Sequence, residues 1–284
     1  MIQKKTILTF VLVFILLNSS LVMAGIQVEK QNDEIKIISD ELPTYRAVLI
    51  GIGESQGLPY SVNQLNGFKT TILRGSLFKQ ENIRTLFDEQ ATKEAIKNEI
   101  QWLANNSNEK DVSLFYFVGH GSKVTNNELI HASDNVIVDE ELAVYVENIT
   151  GSLIMIIDAC YSGGFIEDLE MMNRTIISSC GSDEVAYQVH DLKSGMFGFF
   201  FNLSLSWYTK NIETSFLSAK ILTKFYGKKL SNEHGEDYQV YPKISDNDPG
   251  LTWILFKHAY GKQLFSLIKK MIDEDGFNPL WRMD

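Results

Sequence analysis

Two apolar stretches decide the fold of this chain: VSLFYFVGHG at residues 112–121 and LIMIIDAC at residues 153–160. Each begins with a nearly continuous apolar run, which is typical of a strand buried on both faces in a parallel sheet covered by helices. Each ends in a residue that can carry chemistry, His120 in the first and Cys160 in the second. In an open α/β sheet the ligand site lies beyond the carboxyl ends of the strands, so we expect both side chains at one edge of the sheet.

The sequence on either side alternates strand and helix patterns. A third buried strand is predicted at residues 47–52, and shorter strands at 83–87, 175–179 and 239–244. Helices are predicted at about 62–78, from Thr92 as the N-cap, from Asp139, and at 197–208, 215–226 and 262–273. This alternation predicts an α/β domain with a mostly parallel sheet.

Residues 1–24 have the order of a secretory signal peptide. Lys4 and Lys5 precede an apolar run at 7–17, and Ala24 ends the segment with a small side chain. We therefore expect an exported protein, secreted, periplasmic or at the cell surface; an amino-terminal membrane anchor is the alternative if the signal is not cleaved. The rest divides into a lead segment at 25–43, the α/β domain at 44–250 and a C-terminal helical extension at 251–284.

The charge of the chain narrows the classes of partner. Its formal net charge is −10 at pH 7 and its pI is about 5.1. Nucleic-acid binding depends on Lys and Arg side chains that neutralise backbone phosphates, so no nucleic-acid partner is expected for so acidic a protein. A monomer is the favoured oligomeric state.

The residue types at the two strand ends suit amide hydrolysis by a thiol. This reaction needs a nucleophile, a proton carrier for the leaving amine, and donors for the oxyanion. Cys160 and His120 supply the first two, because an imidazole can take the proton of a thiol during attack and return it to the leaving nitrogen. Glycine after His120 permits close backbone approach, so the N–H groups of Gly121 and Cys160 form the predicted oxyanion hole.

Two motifs resemble the catalytic motifs of caspase-like cysteine peptidases, closest to their prokaryotic metacaspase-type members: YFVGHG at 116–121 and IDACYSGG at 157–164. The resemblance extends over roughly residues 46–250, and legumain-like peptidases are a more distant match. It implies a caspase/haemoglobinase-type α/β/α sandwich with a mostly parallel central sheet. It also implies a cysteine endopeptidase that hydrolyses peptides or proteins through a thioester on Cys160, without a redox cofactor.

The same resemblance implies a substrate preference. In metacaspase-type relatives the Asp two residues before the catalytic Cys lines the pocket for the residue preceding the cut and pairs with Arg or Lys, and Asp158 holds that position here. A basic preference follows, because a buried carboxylate facing a guanidinium discriminates strongly. Gln64 stands where those relatives carry a second pocket Asp, and Val118 where they carry a Ser. Asp183 or Glu184 can supply the missing negative charge. The alternative to a substrate-binding role for Asp158 is a structural one, in which its carboxylate caps a turn at the end of the strand.

Three alternatives remain open at this stage. The chain can be a catalytically silent caspase-like binding protein, or a legumain-like transpeptidase with other specificity. It can also be an exported module stabilised by a Cys160–Cys180 disulfide, since these are its two cysteines. The resemblance implies calcium activation as well, with candidate ligands placed only by rough location: Asp134, Asp139, Glu140 and Glu141. Acidic runs of this kind are usually solvated surface.

Overall fold

The computed structural model describes residues 43–53, 56–74, 78–207 and 212–248. The predicted signal peptide at 1–24, the lead segment up to residue 42, the extension at 251–284 and its helix at 262–273 therefore lie outside the described residues. No helix in the described ranges has the length and apolar character that crossing a bilayer requires.

A six-stranded sheet forms the centre of the domain. Its strands are β1 (Tyr45–Gly51), β2 (Phe78–Phe87), β3 (Val112–Val118), β7 (Ser152–Asp158), β8 (Arg174–Ser178) and β11 (Lys243–Asp246). They lie in the order β11-β8-β7-β3-β1-β2; five run parallel, and β11 lies antiparallel to β8 at one edge. The two stretches that decide the fold are thus neighbouring central strands, as the sequence predicts.

Helices cover both faces of this sheet. Alternate residues of a strand point to opposite sides, so uninterrupted apolar strands make both faces apolar and both must be buried. Leu114 and Tyr116 of β3 belong to one buried cluster, while Phe115 and Phe117 belong to the other. The first face is covered by α1 (Ser61–Leu73), α5 (Met196–Trp207) and α6 (Ile212–His234). The second is covered by α2 (Lys93–Asn106), α3 (Asp139–Val146) and α4 (Phe165–Leu169). The result is the expected α/β/α sandwich.

A small antiparallel sheet leaves the main sheet directly after His120, and the sequence did not predict it. It consists of β4 (Gly121–Val124), β5 (Asn127–His131) and β6 (Val136–Val138). Its strands are only three to five residues long, and β4 and β5 mix polar with apolar residues, so they lack the long apolar runs that identify the central strands. A two-stranded ribbon, β9 (Gln188–Val189) with β10 (Ser194–Gly195), was missed for the same reason.

Element boundaries differ from the predictions at three further places, one of which is α6, which spans Ile212–His234 where a helix at 215–226 was predicted. The first helix ends at Leu73 rather than near Phe78, because Phe78 begins β2 and packs its ring against Tyr45 of β1. The last described strand spans Lys243–Asp246 rather than the predicted 239–244. It is an edge strand of the sheet and pairs there with β8 alone. The predicted cap of α2 is confirmed, since the Thr92 hydroxyl accepts a hydrogen bond from the Ala95 N–H at 3.1 Å.

Candidate active site

Strand register brings the ends of β3 and β7 side by side. Val118 pairs with Asp158 in the parallel ladder, and the Gly119 N–H donates to the Asp158 carbonyl at 3.3 Å. His120 and Cys160 each follow these paired positions by two residues. Both side chains line one cavity of about 130 Å³ at this edge of the sheet, together with Asp158.

The Cys160 thiol is half-buried and protonated at rest. Its Sγ lies 3.8 Å from the Ala186 carbonyl, which can accept a weak hydrogen bond from the S–H. Burial raises the pKa of the thiol, and the negative charge of Asp158 raises this pKa further. Because the thiolate is the attacking form, this cysteine needs a base at neutral pH.

The His120 ring is oriented by a backbone carbonyl. Its Nε2 lies 2.9 Å from the carbonyl oxygen of Gln56. A carbonyl only accepts, so Nε2 carries a hydrogen, and Nδ1 is the ring nitrogen that can accept a proton. Sequence reasoning missed Gln56, because a main-chain oxygen leaves no signature in the residue type.

Gly121 lies directly against the peptide of Cys160. A Cβ placed at Gly121 would stand 2.2 Å from the Cys160 carbonyl oxygen, which no side chain permits. Glycine is therefore required where the chain leaves His120 and passes over the nucleophile. The next residue after Cys160 adopts a left-handed backbone conformation, with φ of 61° at Tyr161, and its N–H donates to the Glu184 carbonyl at 2.7 Å.

Asp158 forms part of the cavity wall and is only 5% exposed. Gln64 donates from Nε2 to Asp158 Oδ2 at 2.7 Å and to the Tyr116 hydroxyl at 2.8 Å. The Gln64 side-chain oxygen Oε1 accepts a hydrogen bond from the Gly195 N–H at 2.7 Å. Every polar atom of the Gln64 amide is thus engaged, so this residue holds the carboxylate in place rather than facing the cavity.

Burial raises the pKa of Asp158, against the opposing effect of its hydrogen bonds from Gln64, Ser179 and the Gly198 backbone. In the described part of the chain, no lysine, arginine or histidine forms an ion pair with this carboxylate. Burying a carboxylate without a cation is costly, and an incoming cation would relieve that cost.

The structure does not bring Asp183 to this cavity. Its side chain is 83% exposed and pairs with Lys123 at 3.1 Å, on the outer side of the loop that follows β8. Glu184 is also committed elsewhere, because its carboxylate accepts from the N–H groups of Gly181 and Tyr241, each at 2.8 Å. Neither residue adds negative charge beside Asp158.

Both cysteines are free thiols. Cys180 is fully buried, with its Sγ 3.3 Å from the carbonyls of Ala159 and Glu184, and burial raises the pKa of this thiol to about 11. Cys180 therefore acts as a packed residue behind the nucleophile, and the arrangement is not that of a module built around a disulfide.

Three of the four acidic residues considered for calcium have side chains engaged with neighbouring groups, and the fourth, Glu140, is exposed. Asp134 caps α2 by accepting from the Lys93 N–H at 2.8 Å, and Glu141 pairs with the Lys93 ammonium at 2.6 Å. Asp139 accepts from the N–H groups of Glu128 and Glu140. Across the described ranges, no three His, Cys, Asp or Glu side chains are grouped as a metal site would need.

Comparison with known proteins places these features in context. Residues 45–170, which include His120 and Cys160, match the family model described as metacaspase, peptidase C14 domain. Caspase-1 from Spodoptera frugiperda superposes with a TM-score of 0.60 at 13% sequence identity, covering 82% of this chain and 100% of that chain. Protein GSU0716 from Geobacter sulfurreducens superposes with a TM-score of 0.50 at 12% identity, covering 73% and 95%. No curated protein matches the sequence. At these identities the structural likeness shows the fold.

Proposed function

We propose that this caspase-like cysteine peptidase cleaves peptide bonds on the carboxyl side of Arg or Lys, with Cys160 as nucleophile and His120 as proton carrier. One observation carries the proposal. A single cavity presents a thiol, an imidazole whose free nitrogen is Nδ1, and a buried carboxylate that has no cationic partner among the described residues.

The chemistry follows from the raised pKa of the Cys160 thiol, which favours its protonated form. His120 takes the thiol proton as Cys160 Sγ attacks the scissile carbonyl, and the carbonyl oxygen becomes an oxyanion bound by the N–H groups of Gly121 and Cys160. The tetrahedral intermediate collapses to a thioester as the imidazolium gives its proton to the leaving amine. Water, deprotonated by the same imidazole, then attacks the thioester carbonyl and the thiol is regenerated. The Gln56 carbonyl stabilises the ring while it is positively charged.

Asp158 supplies the selectivity for a basic side chain. A guanidinium or ammonium that enters the cavity pairs with the Asp158 carboxylate and forms a charge-assisted hydrogen bond to it. A neutral side chain at the same place leaves the carboxylate buried and uncompensated. The Gln64 amide, already saturated, keeps the carboxylate aimed at the cavity and does not compete for the substrate.

A fluorogenic peptide library varied at the residue before the cut tests the proposal. The wild-type protein should cleave Arg and Lys peptides, and the matched variant Cys160→Ala should cleave none of them. Cleavage that survives in Cys160→Ala, or a wild type that prefers acidic or apolar residues, would refute it. Thiol titration before and after treatment with a peptidyl chloromethyl ketone carrying Arg should show the loss of one reactive thiol.

We further propose that the chain works without internal cleavage. Arg174, the first residue of β8, is the one basic residue in the connection that follows Cys160, so a cut in this connection after a basic residue would have to use it. The residue is 5% exposed, it lies in the ladder beside β7, and its guanidinium donates to the carbonyls of Val146 and Leu169. Intact mass after incubation should stay the same in wild type and in Cys160→Ala; a Cys160-dependent cut at this position would oppose the proposal.

Export is proposed from residues 1–24 alone. Expression of the full chain in a bacterial host followed by amino-terminal sequencing should give a mature protein that begins at Gly25 and lies outside the cytoplasm. Recovery of an uncut chain in the membrane fraction would favour the anchor instead.

A further inference from the structure

Lys123 joins three segments that surround Cys160. It lies on β4, two residues after Gly121, and its ammonium reaches Glu128 Oε1 on β5 at 3.1 Å. The same ammonium reaches Asp183 Oδ1 at 3.1 Å and the Ser182 carbonyl at 3.5 Å, both in the loop after β8. The hairpin that begins at Gly121 is thereby connected to the loop that continues to Ala186, the partner of the Cys160 thiol.

Glu128, the partner of Lys123, also contacts the turn that follows Cys160. Its side chain is 5% exposed, and a Cβ placed at Gly164 would stand 2.1–2.5 Å from its carboxyl group. Gly164 ends the short turn Ser162–Gly164 after Cys160. The Glu128 carboxyl is therefore packed directly against the backbone of that turn.

The hairpin itself is fixed at this point. Lys123 and Glu128 face each other as a cross-strand pair in the antiparallel ladder, and the Glu128 N–H donates to Asp139 Oδ2 at 2.7 Å. The charges facing Lys123 are those of Glu128 and Asp183, while Asp139 lies beside Glu128. With a lysine replaced by a neutral side chain, the buried Glu128 would lose its cation, and the cost of a buried unpaired carboxylate would be relieved by movement of the hairpin or the turn.

We propose that Lys123 is a positioning residue that sets the Gly121 backbone against the Cys160 peptide, and thereby the geometry of the oxyanion hole. Lys123 and Gly121 lie on the same side of β4 and are separated by one residue, so a shift of the strand at Lys123 is transmitted through the backbone to Gly121. The clearance is small, because a Cβ built on Gly121 would stand 2.2 Å from the Cys160 carbonyl oxygen. The inference rests on the proposed peptidase function.

The test compares Lys123→Met with the conservative variant Lys123→Arg, using an Arg peptide substrate. Lys123→Met should lower kcat by about 10- to 100-fold with KM within about twofold of wild type, since removing one oxyanion donor outright costs about 100- to 1,000-fold in kcat. Lys123→Arg keeps the charge and should recover most of the lost rate. Glu128→Gln, which removes the buried partner charge at equal size, should lower kcat in the same direction.

Two inhibitors separate this role from general damage. A peptidyl aldehyde forms a thiohemiacetal whose oxygen occupies the oxyanion hole, so its inhibition constant should rise in Lys123→Met in parallel with the fall in kcat. Iodoacetamide reacts with the thiol and needs no oxyanion donor, so its rate of Cys160 alkylation should be unchanged.

Three results would overturn the inference. Unchanged kcat in Lys123→Met with a lowered unfolding midpoint would leave Lys123 a stabilising residue only. A rise in KM with unchanged kcat would make it a substrate-binding residue. An equal fall in the iodoacetamide rate would place the effect on the thiol. A wild type that cleaves no peptide would instead refute the proposed function itself, so the two failures are distinguishable.

Discussion

Asp158→Asn tests the proposed selectivity for basic residues, because the variant should cleave Arg substrates more slowly and discriminate less between basic and neutral residues. The substitution keeps the size and the hydrogen-bonding shape of the side chain but removes its charge. Asp158 is almost fully buried and lacks a cationic partner in the described ranges, so the substrate's guanidinium would be its charge partner. The charge-assisted part of that contact is the quantity that the variant removes.

The size of the effect follows from the kind of bond that is lost. A hydrogen bond to a charged group is worth about 1.5–3 kcal/mol, compared with about 1 kcal/mol for a neutral one. The difference is about 0.5–2 kcal/mol. Each 1.4 kcal/mol is a factor of ten, so kcat/KM for an Arg substrate should fall about 2- to 30-fold. For a substrate with Gln before the cut, kcat/KM should stay the same or rise slightly, because a neutral pocket no longer penalises a neutral side chain.

The assay measures kcat/KM for paired Arg and Gln peptides that differ only at the residue before the cut. The informative number is the ratio of the two values, since a general loss of active enzyme cancels from it. Gln64→Ala serves as the companion variant, because it removes the donor that orients Asp158 and should reduce the same ratio to a smaller extent. Equal losses for both peptides in Asp158→Asn would refute the reasoning, as would an unchanged ratio.

Four other predictions concern the same domain. Because burial and Asp158 raise the pKa of Cys160, the thiolate fraction is low at neutral pH, so the rate of iodoacetamide alkylation should keep rising between pH 6 and 9; a plateau below pH 7 would indicate a preformed ion pair with His120. Removing the nearby charge in Asp158→Asn should lower that pKa and speed alkylation at fixed pH, which the same time courses would show. Gly121→Ala should abolish detectable turnover, because its Cβ would stand 2.2 Å from the Cys160 carbonyl oxygen; circular dichroism of the purified variant checks that the fold is retained, and turnover near the wild-type rate would contradict the geometry. Thr92→Ala should lower the free energy of unfolding by about 1 kcal/mol through loss of the α2 cap, with kcat unchanged; denaturant unfolding measures it, and no destabilisation would mean that the cap contributes nothing.

The parts of the fold that could be predicted are those where burial acts on every residue of an element. Strands β3 and β7 are buried along their length, so their sequences are almost uninterrupted apolar runs. The positions of His120 and Cys160 follow from those runs, because parallel strands end at the same edge. The hairpin from Gly121 could not be found in this way, since a solvated strand such as GSKV carries no apolar period.

The parts of the site that could not be predicted depend on the backbone or on three-dimensional pairing. The Gln56 carbonyl orients His120 from a loop that is 64 positions away in the sequence, and any residue type could supply it. Asp183 was a reasonable candidate for the pocket by its place in the chain. Its partner Lys123 lies on the unpredicted hairpin, so the sequence offered no sign that its charge was already engaged.

One carboxylate links selectivity to reactivity in this site. Asp158 lines the cavity that would receive the substrate side chain, and its negative charge is also a cause of the raised pKa of Cys160. A basic side chain that pairs with Asp158 offsets that negative charge, and so removes part of the electrostatic penalty on forming the thiolate. Because a neutral side chain leaves the penalty in place, the proposed selectivity for basic residues implies a thiol that is easier to deprotonate when such a substrate is bound. Together with the proposed single-chain activity, this coupling would keep the free thiol weakly reactive until a basic residue occupies the cavity.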